Sequence, residues 1–317
     1  MGKTEKQDIR IDVRLLIAAA LLVAVLLGCA VFVAPKYGSV FAAYREQHAA
    51  YKAASADLKA AQQENADLSQ NLAELQELDK QASDTRDEVF KLAAQLEQDI
   101  ADGKTDRRIC YLTFDDGPYN RGKKFLEILH KYDIKATFFL STANGNKLPD
   151  QADITAESQY PEYVKYGHTI GNHTYSHNYS ADGIYKNAET FLADVRKQEE
   201  FTEKAANGYK TRIVRFPGGT GNAGAKLESI EDALRKEGYG WINWTVDSGD
   251  SAGGDKVTAS SVKSSVLGAA KDQKIMVPLF HEWSQKSLEA LPEIIETLDS
   301  QGYIFLPLFP ESMMVEH

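Results

Sequence analysis

The chain has 317 residues, 43% of them apolar, and a formal net charge of −10. That length and composition suit a membrane segment, a spacer and one globular domain with a substantial core. The acidic excess is spread along the chain with no basic stripe, which excludes nucleic acid as a natural partner. The two cysteines, Cys29 in an apolar run and Cys110 at the start of a predicted strand, fall in different environments, so no bridge between them is expected.

Residues 1–14 are polar and carry Lys3, Lys6, Arg10 and Arg14, after which residues 15–34 run without a charge. About 20 such residues cross a hydrocarbon core of about 30 Å, so the pattern predicts a transmembrane anchor. Only Lys36 and Arg45 follow closely, and this basic bias places residues 1–14 in the cytoplasm and everything after residue 34 outside. Leu26-Leu-Gly-Cys29 also resembles a lipoprotein cleavage box that would make Cys29 a lipidated N-terminus. The apolar Ala30-Val-Phe-Val-Ala34 after it favours an uncleaved, single-pass anchor. Either reading tethers the chain to a cell membrane.

Residues 35–105 form the next element. From Phe41 to about Asp99 there is neither Pro nor Gly, and Ala, Glu, Gln, Leu and Lys dominate, which predicts one long helix. Tyr44, Tyr51, Leu58, Asn65 and Leu72 make one heptad row, with Ala54, Ala61, Leu68 and Leu75 beside it. The frame then slips by a residue to Leu75, Ala82, Val89 and Leu96, flanked by Leu78 and Leu92, as in a coiled coil with a stammer. At 1.5 Å per residue such a stalk reaches on the order of 85 Å. Its stripe needs a cover, either a second copy in a homodimer whose register Asn65 would set, or the chain's own domain if the helix folds back. The turn-rich Ala101-Asp-Gly-Lys-Thr-Asp106 ends the stalk and places the globular domain at 106–317.

Five short clusters in that domain each follow an apolar run of strand type. They are Thr113-Phe-Asp-Asp-Gly117, His173-Thr-Tyr-Ser-His177, Arg215-Phe-Pro-Gly-Gly219, Asp247-Ser-Gly-Asp250 and Leu279-Phe-His281. The runs ahead of them are 109–114, 168–172, 211–216, 240–246 and 274–280. Reactive side chains at successive strand ends, separated by helical stretches, predict a parallel α/β barrel or sheet with its site at the C-terminal face of the strands. His173 and His177 are four apart, which on a helical turn puts both imidazoles on one face. Asp115 and Asp116 are adjacent at a strand end, so one carboxylate can meet a cation while the other turns to the reacting centre. Two imidazoles and a carboxylate leave positions open for water and substrate, the pattern of a hydrolytic metal site.

In these five motifs, residues 106 to about 310 resemble the polysaccharide deacetylase family, also known as the NodB-homology domain or carbohydrate esterase family 4. The resemblance implies an incomplete (β/α) barrel that hydrolyses acetyl groups from N-acetylated sugars. It assigns Asp116, His173 and His177 as metal ligands, Asp115 as general base and Arg215 as the residue that pairs with and orients that base. His281 matches the general acid, Asp250 the carboxylate that tunes it, Leu279 the wall against the acetyl methyl, and Gly218 an oxyanion-binding amide. The family's fourth motif usually ends in Asp-Trp, whereas Asp250 is followed here by Ser251-Ala-Gly-Gly254; Trp283 is a candidate to replace that aromatic wall. Zinc suits such ligands, although cobalt, nickel or iron would also bind. With anchor and stalk, the expected substrate is N-acetylglucosamine of peptidoglycan, and the alternatives are N-acetylmuramic acid, a secreted amino-sugar polymer, or a non-catalytic glycan-binding scaffold.

Overall fold

The computed structural model describes residues 18, 21, 38–142, 156–180, 182–252 and 254–317. The expected anchor at 15–34 lies outside those residues apart from Ala18 and Leu21, and among the described residues no helix is long and apolar enough to cross a membrane. The chain divides into two compact units, Met1–Arg86 and Asp87–His317.

The uninterrupted helix-forming composition gives a 64-residue helix, α1 (Gly38–Ala101). In the first unit its apolar stripe stands in the open: Leu68 is 60% exposed and Leu72 47%. Its last turns, from Asp87, belong to the second unit. There Ala93 and Ile100 are buried with Tyr111, Val277 and Leu308, and Phe90 stacks on Phe309 at 5.0 Å. Glu97, also buried, accepts hydrogen bonds from the Tyr111 hydroxyl at 2.6 Å and the Met313 amide at 2.9 Å, and a third from Ser312. The turn at residues 101–106 therefore lies inside this unit rather than at its edge.

The second unit is built from parallel strands joined by helices. Strands β1 (Arg108–Cys110) and β2 (Thr113–Gly117) lead to α2 (Gly122–Lys131), β3 (Thr137–Leu140), α3 (Ala156–Lys165) and β4 (Thr169–Asn172). Then come α4 (Ala188–Ala205), β5 (Ile213–Val214), α5 (Leu227–Lys236), β6 (Gly240–Trp241) and β7 (Val246–Asp247). The chain closes with α6 (Ala259–Ala269), β8 (Ile275–Met276), β9 (Pro278–His281), α7 (Gln285–Ser300) and β10 (Tyr303–Phe305). Seven strands form one sheet in the order β6-β5-β4-β3-β2-β9-β7, and a smaller sheet runs β10-β1-β8. Every strand pair in both sheets is parallel.

Strands covered on both faces read as continuous apolar runs, and Thr137-Phe-Phe-Leu140 is buried throughout. Phe114 of β2 stacks on Phe138 of β3 at 4.9 Å and Phe280 of β9 at 5.5 Å, so three neighbouring strands share one aromatic layer. With β6 and β7 as its two edges, the larger sheet is a curled half-barrel, the incomplete barrel that the family resemblance implied. Three predicted runs are each split in two: 109–114 into β1 and β2, 240–246 into β6 and β7, and 274–280 into β8 and β9. The gap after β6 has a direct cause, because the carbonyls of Ile242 and Asn243 accept from the Arg215 side chain. Strands β3 and β10 carry no motif and were not anticipated.

Replacing Glu97 with Ala leaves three inward-facing donors without their acceptor, an expected loss of about 2–4 kcal/mol. A lowered urea midpoint for the Asp87–His317 unit checks this; an unchanged midpoint shows that the helix end contributes nothing to that unit.

Candidate active site

The motif residues gather at the C-terminal ends of β2, β4, β5, β7 and β9, which parallel order brings to one face of the sheet. Asp116 Oδ1 lies 3.1 Å from His177 Nε2 and 3.6 Å from His173 Nε2, and the two imidazole nitrogens are 3.2 Å apart. These three are the only Asp, Glu, His or Cys side chains among the described residues that cluster closely enough to share an ion. Bonds of about 2.0–2.2 Å in a tetrahedral site separate neighbouring ligand atoms by about 3.3–3.6 Å, so the residues fit a zinc-sized cation.

The two histidines do not sit on a helical turn, as the four-residue spacing suggested. His173 follows β4 and His177 ends a bent loop in which Thr174 has φ 62° and His177 φ 50°. The loop is stapled by side chains: Asn172 Oδ1 accepts from the Thr174 amide at 2.9 Å, Thr174 Oγ1 from the His177 amide at 3.2 Å, and Asp194 of α4 from the Ser176 amide at 2.8 Å. Asp116 too has positive φ, 67°. Left-handed backbone at three non-glycine positions costs on the order of 1–3 kcal/mol each and survives only where neighbours impose it.

His173 Nδ1 is 2.9 Å from the Arg215 carbonyl, which can only accept, so the proton sits on Nδ1 and the Nε2 lone pair faces the cluster. Burial lowers His173 to about 4, against the opposing pull of Asp115 and Asp116. For Asp116 burial works against ionisation, but the hydrogen bond to His177 and the facing imidazoles outweigh it and hold the carboxyl well below its usual range. Both residues are thus in the states a divalent cation requires.

Asp115 is almost fully buried. Its Oδ1 accepts from Arg215 at 2.9 Å and its Oδ2 lies 3.7 Å from His173 Nε2. Arg215 is entirely buried yet well satisfied, donating also to Thr113 Oγ1 at 2.7 Å, Asn243 O at 2.8 Å and Ile242 O at 3.3 Å, with its guanidinium 4.1 Å over the Phe139 ring. One strand over, in register with Asp115, His281 donates from Nδ1 to Asp250 Oδ1 at 2.7 Å. Asp250 Oδ2 accepts from the His281 amide and from Ser287 of α7. Burial alone would lower His281, but the Asp250 bond and charge, with Asp115 and Asp116, raise it to about 9.

Leu279 is buried between β2 and β7, in register with Thr113 and Asp247. Gly218 has φ 70° and is exposed just past β5. Trp283 packs on His281, ring centroids 5.1 Å apart, and its Nε1 donates to Asp116 Oδ2 at 2.9 Å. The motif reading missed Glu282, which is buried and accepts from the Tyr119 amide at 2.6 Å and the Tyr163 hydroxyl at 2.9 Å. Burial pushes Glu282 up to about 7 in spite of those donors. Ser287, Thr113, Asn172 and Asp194 were also missed; a charged residue next to a motif histidine was the one available signal.

A family model described as polysaccharide deacetylase matches residues 102–238. A peptidoglycan-N-acetylglucosamine deacetylase of Bacillus cereus is 30% identical over 213 residues, covering 65% of this chain and 71% of the relative. A chitin deacetylase of Colletotrichum lindemuthianum is 30% identical over 207 residues, covering 63% and 77%. Among solved structures, the catalytic domain of a peptidoglycan N-acetylglucosamine deacetylase from Eubacterium rectale superposes with a TM-score of 0.59 at 29% identity, covering 67% of this chain and 93% of that one.

The geometry predicts that His281 titrates near 9. Its pKa is raised by folding, so the associated stabilisation is complete below the unfolded value of about 6.5 and is lost as pH rises through about 9. Asp250→Asn removes the largest raising influence. NMR titration of the His281 ring should show its inflection moving to lower pH in that variant, and an unmoved inflection would contradict the pairing.

Proposed function

The chain belongs to the polysaccharide deacetylase family, and from that premise we propose that it is a metal-dependent hydrolase that removes N-acetyl groups from N-acetylglucosamine in peptidoglycan. One observation carries the reading: three ligand-type atoms within 3.6 Å of one another, beside a second carboxyl and a carboxylate-paired imidazole. A divalent cation held by Asp116, His173 and His177 supplies Lewis acidity and makes water a stronger acid at neutral pH. Zinc is the proposed ion, because two imidazoles and one carboxyl oxygen suit it; other first-row ions compete through geometry and availability.

The chain's own groups divide the remaining work. Asp115 is the base: Arg215 takes its Oδ1, leaving Oδ2 on the side of the ligand cluster to receive a proton from water. The exposed Gly218 amide meets the negative charge that develops on the acetyl oxygen. An amine leaves only once protonated, and His281, held in its charged form by Asp250, is the donor. Leu279 closes the wall against the acetyl methyl.

The similarity to a peptidoglycan deacetylase supports the substrate, and so does the expected anchor at 15–34, which would hold the domain outside the cell at a single-pass membrane attachment. The exposed stripe of α1 supports a homodimeric coiled coil as the spacer. The likeness to a chitin deacetylase favours a second reading, an N-acetylated polymer other than peptidoglycan.

Incubation of the chain with peptidoglycan fragments and with N-acetylglucosamine oligomers, followed by mass spectrometry, tests the assignment. The expected result is loss of the mass of one acetyl group from one of these sugars, abolished by chelation and by His177→Ala. No loss from any N-acetylated glycan while zinc is bound would leave a glycan-binding scaffold instead. Activity should also persist through neutral pH and fall as pH rises through about 9, where His281 loses its proton. In Asp250→Asn this alkaline limb of kcat/KM should move to lower pH, and a limb that stays in place would remove His281 as the acid.

A further inference from the structure

In the motif reading Trp283 is a groove wall, but its bonding gives it a second task. The two oxygens of Asp116 are not equivalent: Oδ1 faces both imidazoles, and Oδ2 accepts from the Trp283 indole at 2.9 Å. A carboxylate turns easily about its last torsion and could present either oxygen to a cation. Both oxygens of the carboxylate accept, and the indole N–H, bonded to the one that faces it, holds the torsion at the angle that turns the other towards the imidazoles.

The donor is itself held on several sides. Its ring packs against His281 at 5.1 Å. The Trp283 carbonyl accepts from Arg121 at 2.9 Å, and Arg121 Nε reaches Gln285 at 3.0 Å. The preceding residue, Glu282, is anchored in the interior by Tyr119 and Tyr163. The acceptor needs such help, because Asp116 sits in left-handed backbone at the end of β2.

The geometry points to Trp283 as a positioning residue that locks Asp116 into single-oxygen presentation to the metal, joining the end of β9 to the end of β2. This inference rests on the reading of Asp116, His173 and His177 as a metal site. Removing an outer partner of a metal ligand typically weakens metal binding by about 10–100-fold.

The test is zinc affinity of the full chain, measured by competition with a chromophoric chelator. Trp283→Phe keeps an aromatic ring against His281 and loses the N–H. It should bind zinc about 10–100-fold more weakly, and the loss should vanish in an Asp116→Ala background, since the indole acts through that carboxyl. If Trp283→Phe does not fold, benzothienylalanine at position 283 keeps the fused rings and replaces only the N–H with sulfur. Unchanged affinity in the variant, or an equal loss in the Asp116→Ala background, overturns the role of Trp283 alone. Failure of the unaltered chain to bind zinc overturns the metal site and this inference together.

Discussion

The domain is organised around three electron-rich atoms that face one another: Asp116 Oδ1, His173 Nε2 and His177 Nε2, at 3.1–3.6 Å. In the deprotonated states that a cation requires, lone pairs at that range repel, and two of the three residues sit in left-handed backbone. Such a cluster cannot hold itself together, so its shape must come from outside it. The Arg215 carbonyl sets the tautomer of His173, Asn172, Thr174 and Asp194 bend the loop that delivers His177, and the indole of Trp283 bonds the second oxygen of Asp116. Four elements far apart in sequence thus converge on one small volume, and the parallel sheet is what lets them do so.

Arg215 is the second organising group. A fully buried guanidinium carries a desolvation cost that only a complete set of acceptors can offset. It finds them on β2, through Thr113 and Asp115, and on the irregular stretch after β6, through Ile242 and Asn243. The carbonyls of residues 242–243 accept from a side chain, while the Ile242 amide still donates to Val214 of β5. The same residue therefore fixes the proposed base, supplies through its carbonyl the acceptor for His173, and takes the carbonyls that follow β6 near the open edge of the half-barrel.

The site was more legible in the sequence than the fold around it. Motif residues announce themselves because two histidines, paired carboxyls and a buried arginine are chemically expensive and rarely sit together by chance. The sequence also showed the long helix, from its lack of Pro and Gly, and the parallel order of the motif strands. It did not show where strands break; the break after Trp241, for one, coincides with long-range bonds from Arg215 and not with any local propensity. The four-residue histidine spacing pointed to a helical turn; the cause of the actual bend, Asp194 bonding to Ser176, lies on a different element. Strand β3 is a plain apolar run with no reactive residue at its end, so periodicity alone could not separate it from buried helix. The contribution of residues 87–101 to the compact unit was hidden for a similar reason: Glu97 looks like any helix-surface glutamate until Tyr111, Ser312 and Met313 are brought to it.

The segment His281-Glu282-Trp283 shows how one strand end can serve several parts of a site. Successive residues leaving a strand alternate sides. His281 and Trp283 pack together beside Asp116, while Glu282 goes into the interior and takes the Tyr119 amide of the turn after β2. The end of β2 and the turn after it are gripped twice, by the indole at Asp116 and by the carboxyl at Tyr119. This grip also explains two glycines. A Cβ at Gly117 or at Gly122 would run into the Glu282 carboxyl, so the glycine that closes Thr113-Phe-Asp-Asp-Gly117 is required by packing against β9. A larger residue at either position would have to displace Glu282, and with it the anchor that keeps Trp283 in reach of Asp116.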